Sequence, residues 1–213
     1  MASVPTGSLF FVSTAFSTPK TVTVATNALN CVVTAVAHGY STGDVVEFSS
    51  AWGRINRRVF EVVVLTVDTF SLTACSTTNA QFYPAGLGLG TVRKISAFTE
   101  IVQVMNPGSS GGEPKKVTYK YIGSDVEYSI NDGFAATSYM IELDADSINT
   151  TGYAALRDLT DVQTDSVLKI LKRNGGRVYQ PCTVALNEAE SFQDGQINKV
   201  KASFDGNNRL TRY

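Results

Sequence analysis

The 213-residue chain offers little raw material for catalysis: one histidine, three cysteines and scattered carboxylates. Any Ser-His-Asp, Cys-His or multi-histidine metal site would have to be built around His38. That residue precedes Gly39-Tyr40-Ser41-Thr42-Gly43-Asp44, which reads as a turn, so its expected role is to order that turn. Cys31, Cys75 and Cys182 lie 44 and 107 residues apart with no CxxC, which suits buried, reduced thiols of a cytosolic product rather than a disulfide framework. Gly86-Leu87-Gly88-Leu89-Gly90 is GxGxG, not GxGxxG, and leads into Thr91-Val92 rather than a helix, so it is no phosphate loop. Arg54, Arg57 and Arg58 beside Trp52 and Phe60 are a basic and aromatic cluster of the kind that can hold single strands, although three loop arginines more often form a solvated face or a protein contact. Asp144, Asp146, Asp158, Asp161 and Asp165 crowd one region without EF-hand spacing. Asn149-Thr150-Thr151 is a glycosylation sequon with no secretory context. No catalytic, cofactor-binding or metal-binding set emerges, and no enzyme is expected.

Composition points the same way. The chain holds 24 Val and 23 Thr, β-branched types that suit pleated, half-buried surfaces. A net charge of −1 argues against a basic nucleic-acid-binding domain. No cation precedes Lys20 and the run Leu9-Phe10-Phe11-Val12 is short, so no secretory signal is expected; the uncharged stretches Thr21 to Gly43 and Thr69 to Val92 are studded with Thr, Asn, Ser and Gly, so no transmembrane helix is expected. Residues 1–90 carry 8 charged side chains and residues 91–213 carry 29, a step that suggests two modules.

The elements that would position these residues are mostly strands. Short strands are expected at Thr21–Val24, Cys31–Val36, Asp44–Phe48, Arg58–Val64 and Thr69–Leu72, punctuated by turn residues, as in a small barrel or sandwich. Beyond Glu100–Met105, the run Asn106 to Glu113 reads as a flexible loop. A long hairpin is expected next: Lys116–Ile130, a turn at Asn131-Asp132-Gly133, then Ala135–Asp144. The apolar parity of its first arm switches near Gly123, which predicts a β-bulge there. Asp125, Glu127 and Ser129 share one face, and Glu142 and Asp144 share one face of the return arm, opposite the apolar sets Val126, Tyr128, Ile130 and Tyr139, Ile141, Leu143. Alternation makes one of these faces core. A helix over Gly152–Thr160 with Thr150 or Thr151 as N-cap, a hairpin around Asn174-Gly175-Gly176, and a last strand over Asn198–Phe204 complete the reading.

Two family resemblances follow. Ala37 to Val46, Ile55 to Phe60 and Val67 to Leu72 resemble a small β-barrel module found in bacteriophage structural proteins and named for its likeness to the first catalytic-cysteine half-domain of ubiquitin-activating enzyme. The likeness transfers no catalysis, since Cys31 and Cys75 have no activating base. The remainder resembles the major tail tube protein of long-tailed phages in the order of its parts: N-terminal strand, hairpin, Asp144-Ala145-Asp146 leading into the helix, the Asn174-Gly175-Gly176 hairpin and the closing strand. The resemblance implies an all-β fold with one short helix: two packed antiparallel sheets, residues 1–19 with 94–213, interrupted by a small inserted β-barrel at 20–93. It also implies a structural virion protein without cofactors. Copies of the chain would form hexameric rings stacked into the tail tube through which DNA passes transiently, with other tail proteins at the tube ends and no membrane insertion. Assembly would take place in the host bacterial cytoplasm. Asp125, Glu127, Ser129, Glu142 and Asp144 would be the lumen-facing candidates, because an inner face must not grip phosphate.

Two other function classes compete. A tail-tip or fibre adhesin would bind a host surface ligand through its small module, using Trp52, Tyr83 and the arginine loop. A wall-degrading hydrolase would need a catalytic constellation that the chain lacks.

Overall fold

The computed structural model describes residues 5–213; residues 1–4 of the anticipated 1–19 segment lie outside them. In chain order the strands are β1 (Leu9–Phe16), β2 (Lys20–Val22), β3 (Val24–Ala25), β4 (Val32–Thr34), β5 (Val45–Ser50), β6 (Arg58–Val64), β7 (Thr69–Leu72) and β8 (Gly90–Ile101). They continue with β9 (Val104–Ser110), β10 (Pro114–Tyr119), β11 (Tyr128–Phe134), β12 (Ser138–Asp144), β13 (Asp165–Leu171), β14 (Arg177–Ser191), β15 (Lys199–Gly206) and β16 (Thr211–Arg212). One helix, α1 (Thr151–Val162), follows a 3-10 turn at Ala145–Asn149. The chain is all-β with one short helix, as its β-branched composition requires.

Hydrogen bonding links β3-β4-β7-β6-β5-β8-β1-β13-β14-β15-β12-β9 into one antiparallel path, with β2 added to β8 and β16 to β14, while β10 and β11 form a separate ribbon. The long strand β8 joins two lobes. Its first residues pair with β2 and β5 (Val92 opposite Lys20 and Phe48), and its later ones pair with β1 (Ile101 opposite Phe10). The anticipated boundary at 93/94 therefore falls inside a strand. The small lobe packs Val33, Phe48, Trp52, Phe60, Phe70 and Leu72 into its own core. The larger lobe curls around Val12, Ile101, Ile141, Leu143, Leu156 and Phe204. A third cluster, Val45, Val59, Ile95, Val167 and Tyr179, fastens one lobe to the other. β1 sits between β8 and β13, so the N-terminal strand is a central member of the large sheet.

Helix α1 starts where Thr150 caps it: the Thr150 hydroxyl accepts from the Tyr153 amide at 3.3 Å. It buries Tyr153 and Leu156 and ends at Gln163 in the left-handed region, φ 52°. The Thr160 hydroxyl also accepts from the Leu186 amide at 2.9 Å, pinning the helix to β14.

Three expectations are corrected. First, the long hairpin does not exist as read. β10 pairs with β11 (Tyr119 opposite Tyr128), the chain reverses between residues 120 and 127, and Asn131-Asp132-Gly133 lies inside β11. Second, Gly123 lies in that reversal, outside both strands; the bulge is one strand later. Lys116 faces Asn131 while Pro114 faces Phe134, so β11 carries the extra residue, and Gly133 takes it up at φ 97°. The parity change near Gly123 was the end of a strand rather than a bulge within it. Third, Asn106 to Ser110 is not a flexible loop but part of β9, paired to β12. Between Met140/Gly108 and Glu142/Met105 the register gains one residue in β9, and Asn106 adopts φ 45°. Asparagine tolerates that conformation, and Pro107 fits because an edge strand with a bulge has no ladder bond for it to lose.

Candidate assembly surface

The residues with chemical potential are consumed by structure. The His38 Nδ1 accepts from the Tyr40 amide at 2.9 Å, which leaves the proton on Nε2 to donate to the Thr66 carbonyl at 3.1 Å. The imidazole is buried against Tyr40 and Phe70 and orders the turn. All three cysteines are buried and free, and burial pushes the Cys75 and Cys182 thiols up to about 12. The glycine loop closes over Trp52: a Cβ on Gly88 would lie 2.7 Å from the indole, and one on Gly90 would collide with the Ser49 carbonyl oxygen. Glycine is required there for close approach, not for phosphate.

The arginine cluster is equally committed. Arg54 stacks on Phe82 at 3.4 Å, Arg57 pairs with Asp165 at 2.9 Å, and Arg58 donates to the Thr211 hydroxyl at 3.3 Å. Two of the three thus tie the small lobe to the large one. Trp52 is buried, donates to the Pro84 carbonyl at 2.9 Å and packs edge-on against the half-buried Tyr83, so of the two aromatics considered for an adhesin only Tyr83 reaches the surface. Of the crowded acids, Asp144 caps the 3-10 turn through the Asp146 amide, and Asp165 is held by Arg57 and by Asn207.

What remains exposed is a surface without a partner. In the β10–β11 ribbon, Val117 faces Ile130 and Tyr119 faces Tyr128 across the strands, placing four apolar side chains on one face. Lys116, Thr118, Ser129 and Asn131 occupy the other. The apolar face is not core: Val117 is 53% exposed, Tyr128 42% and Ile130 58%, and Ile122 in the reversal is fully exposed. The expectation that alternation would hide the Val126, Tyr128, Ile130 set is overturned, because among the described residues no second layer lies beneath this ribbon. A lone two-stranded ribbon is marginal in water, and an exposed apolar set of this kind marks an interaction surface. Beside it, β9 ends the hydrogen-bonded path, so one of its sides has no strand partner among the described residues. Open edges of this kind invite another chain.

The five lumen candidates separate into two groups. Asp125, Glu127 and Ser129 belong to the ribbon, the first two in its reversal. Glu142 and Asp144 lie on β12, on the face away from the buried Ile141 and Leu143. There Glu142 faces Lys201 and Asp144 faces Lys199 across the ladder. The Asn106 side chain donates to the Glu142 carboxylate at 2.7 Å, and Lys199 reaches it at 3.2 Å; together they hold that carboxyl below its usual range. The exposed ribbon escapes the sequence reading because most of β10 and the first residues of β11 fall within Lys116–Ile130, which reads as one continuous arm. The uninterrupted apolar alternation Val117, Tyr119, Tyr121 was the available signal.

No curated protein matches the chain. Among solved structures, a chain of "Tail of empty GTA particle computed with helical refinement, C6 symmetry" is 11% identical over 55% of this chain and 87% of its own, with a TM-score of 0.42. A sequence model described as "Phage tail tube protein, TTP" matches residues 50–213, from the end of β5 through the second half of the small lobe and the whole large lobe after β8 begins. By that match, which spans well over half its length, the chain belongs to the phage tail tube protein family.

Proposed function

We propose that the protein is the ring-forming subunit of a phage tail tube, stacking into the conduit through which DNA is delivered. The observation that carries this reading is the pairing of an open strand edge, β9, with an apolar ribbon that has no layer beneath it. Side-by-side association removes open edges as barrel closure does, and head-to-tail contacts between rings build a tube. Six copies per ring is what the family resemblance implies. Other tail proteins at the tube ends, and assembly in the host cytoplasm before incorporation in the virion, belong to the same reading.

The inner surface in this reading is the β12–β15 face bearing Glu142, Asp144, Lys199, Lys201 and Asp205. Glu142 opposes Lys201 and Asp144 opposes Lys199 there, while Asp205 opposes Ser138, so the face is close to neutral with a slight acidic excess. Phosphate affinity grows with each unneutralised cation, and a neutral face lets DNA slide. Residues 20–93 form an outward module in this proposal, its core distinct from that of the large lobe. Negative-stain microscopy of the concentrated protein tests the proposal: rings or tubes support it, and featureless monomers at every concentration refute it.

A further inference from the structure

Arg54 is the one arginine of its cluster that makes no bond to the large lobe. It lines a cleft of about 870 Å³ between the small lobe and the foot of the β10–β11 ribbon, together with Lys115, Phe134, Thr137, Asn207 and Arg209. None of the lining residues is acidic. Arg54, Lys115 and Arg209 pair with no carboxylate among the described residues. The positive charge is felt nearby: burial pushes the Arg58 guanidinium below its usual range, and the charge of Arg209 adds to that push. Hydrogen bonds fix the walls of the cleft. Gln180, fully buried, donates to the Asn208 carbonyl at 3.0 Å, and the Asn208 side chain donates to the Asn56 carbonyl. The Asn207 amide donates to the Pro181 carbonyl at 2.9 Å and its side chain to Asp165 at 2.7 Å. Arg54 and Arg209 lie over the rings of Phe82 and Phe134, 3.4 and 4.4 Å from their centres. A guanidinium held on a ring keeps its edge N–H donors free to fork onto a carboxylate.

We propose that this cleft binds an extended, carboxylate-rich peptide segment of another protein, with Arg54 and Arg209 each gripping a carboxylate and Lys115 drawing in a third. The inference goes beyond the tube-subunit reading and does not depend on it. Carboxylates suit the cleft better than the phosphates and bases of a nucleic acid. A single strand needs open aromatic faces on which bases stack, and here the faces of Phe82 and Phe134 are taken by the two arginines. A phosphate backbone also needs a track of cations, whereas these three meet at one cleft of a chain whose net charge is −1. Ala135, Ala136 and Leu210 give the cleft an apolar wall against which the carbon stems of a peptide can lie. The chain's own closely spaced acids are not free to enter as an extended segment. Glu188 and Glu190 are held in β14, where Glu188 accepts from the Tyr153 hydroxyl at 3.1 Å, and Asp144 caps the turn that contains Asp146.

Fluorescence polarisation of a short labelled peptide of alternating Glu and Ala, added to dilute, unassembled protein, tests the assignment. The peptide should bind saturably and lose affinity several-fold as salt rises, while its counterpart with Gln in place of Glu should not bind. Arg54→Gln with Arg209→Gln should weaken binding by roughly tenfold or more, and Lys115→Gln alone should weaken it several-fold. Lys20→Gln with Arg157→Gln removes two exposed cations that do not line the cleft and should leave the affinity within about twofold. Arg54, Lys115 and Arg209 are all exposed, so an unchanged thermal midpoint in these variants separates lost binding from lost folding. Absence of saturable binding, equal binding of the Glu and Gln peptides, or cleft variants that bind like the wild type overturns the proposal. So does tighter binding of an oligothymidylate, which would make the ligand a nucleic acid, or of a peptide spanning residues 187–198, which would make it a second copy. The tube-subunit reading fails separately, on monomers in the micrographs.

Discussion

Glu61 is the most instructive residue to remove, because the joint between the lobes converges on it. It sits on β6, buried at 9% exposure, and its carboxylate accepts from the Tyr179 hydroxyl at 2.9 Å and from Arg177 at 3.0 Å. Its amide donates to the Tyr213 hydroxyl, which in turn donates to the Thr73 carbonyl. Glu61→Ala leaves the Tyr179 hydroxyl, 1% exposed, without its acceptor. An orphaned buried hydroxyl costs about 1–3 kcal/mol. The Arg177 side chain is 45% exposed, so its lost pair adds only about 0–1 kcal/mol after solvent screening. A total near 3 kcal/mol corresponds to a fall in Tm of roughly 6–12 °C for a chain of this size. Glu61→Gln keeps an amide oxygen for Tyr179 and should lose less than half as much. Differential scanning fluorimetry at neutral pH measures both. A Glu61→Ala variant within about 1 °C of wild type, or a Gln variant as unstable as the Ala one, would refute the reasoning.

Further outcomes can be checked alongside. Gly88→Ala places a methyl inside the Trp52 ring contact and should destabilise the small lobe by about 1–3 kcal/mol, visible as a red-shifted Trp52 emission at a lower denaturant midpoint. Gly133→Val forces a β-branched side chain to φ 97° and should loosen the ribbon, whereas Gly123→Val, in open space, should not; proteolysis of the ribbon, faster only for the former, distinguishes them. Burial pushes the Tyr213 hydroxyl up to about 12 from 10 in the unfolded chain. The stability it supplies is complete below pH 10 and is lost as pH rises toward 12, at a slope of up to about 1.4 kcal/mol per pH unit that Tyr213→Phe removes in alkaline unfolding curves. Native protein should react with no aromatic disulfide reagent and the denatured chain with three equivalents, since all three thiols are buried.

Local signals in the chain suffice for the strand content, the single helix and its cap, and the turn-ordering role of His38. Val and Thr abundance, Thr150 ahead of an apolar stripe and Asn174-Gly175-Gly176 between alternating segments are local signals, and local hydrogen bonding and sterics decide such elements. Four of the five short strands expected between Thr21 and Leu72 form close to their anticipated positions for the same reason, while Thr21–Val24 is split between β2 and β3, which pair with different partners. Pairing was another matter. Asn131-Asp132-Gly133 has turn chemistry, yet it lies in β11 because Tyr128 to Asn131 found β10 as partner, and only the cross-strand register reveals that the extra residue is absorbed as a bulge. Asn106-Pro107 reads as a breaker, yet it survives in β9 because that strand is an edge. Alternation likewise showed that Val117, Tyr119, Tyr128 and Ile130 share a face, but not whether anything covers them. Periodicity records which side chains point the same way; whether that side meets a core or water is fixed by what packs against it, and that is a property of the tertiary structure alone.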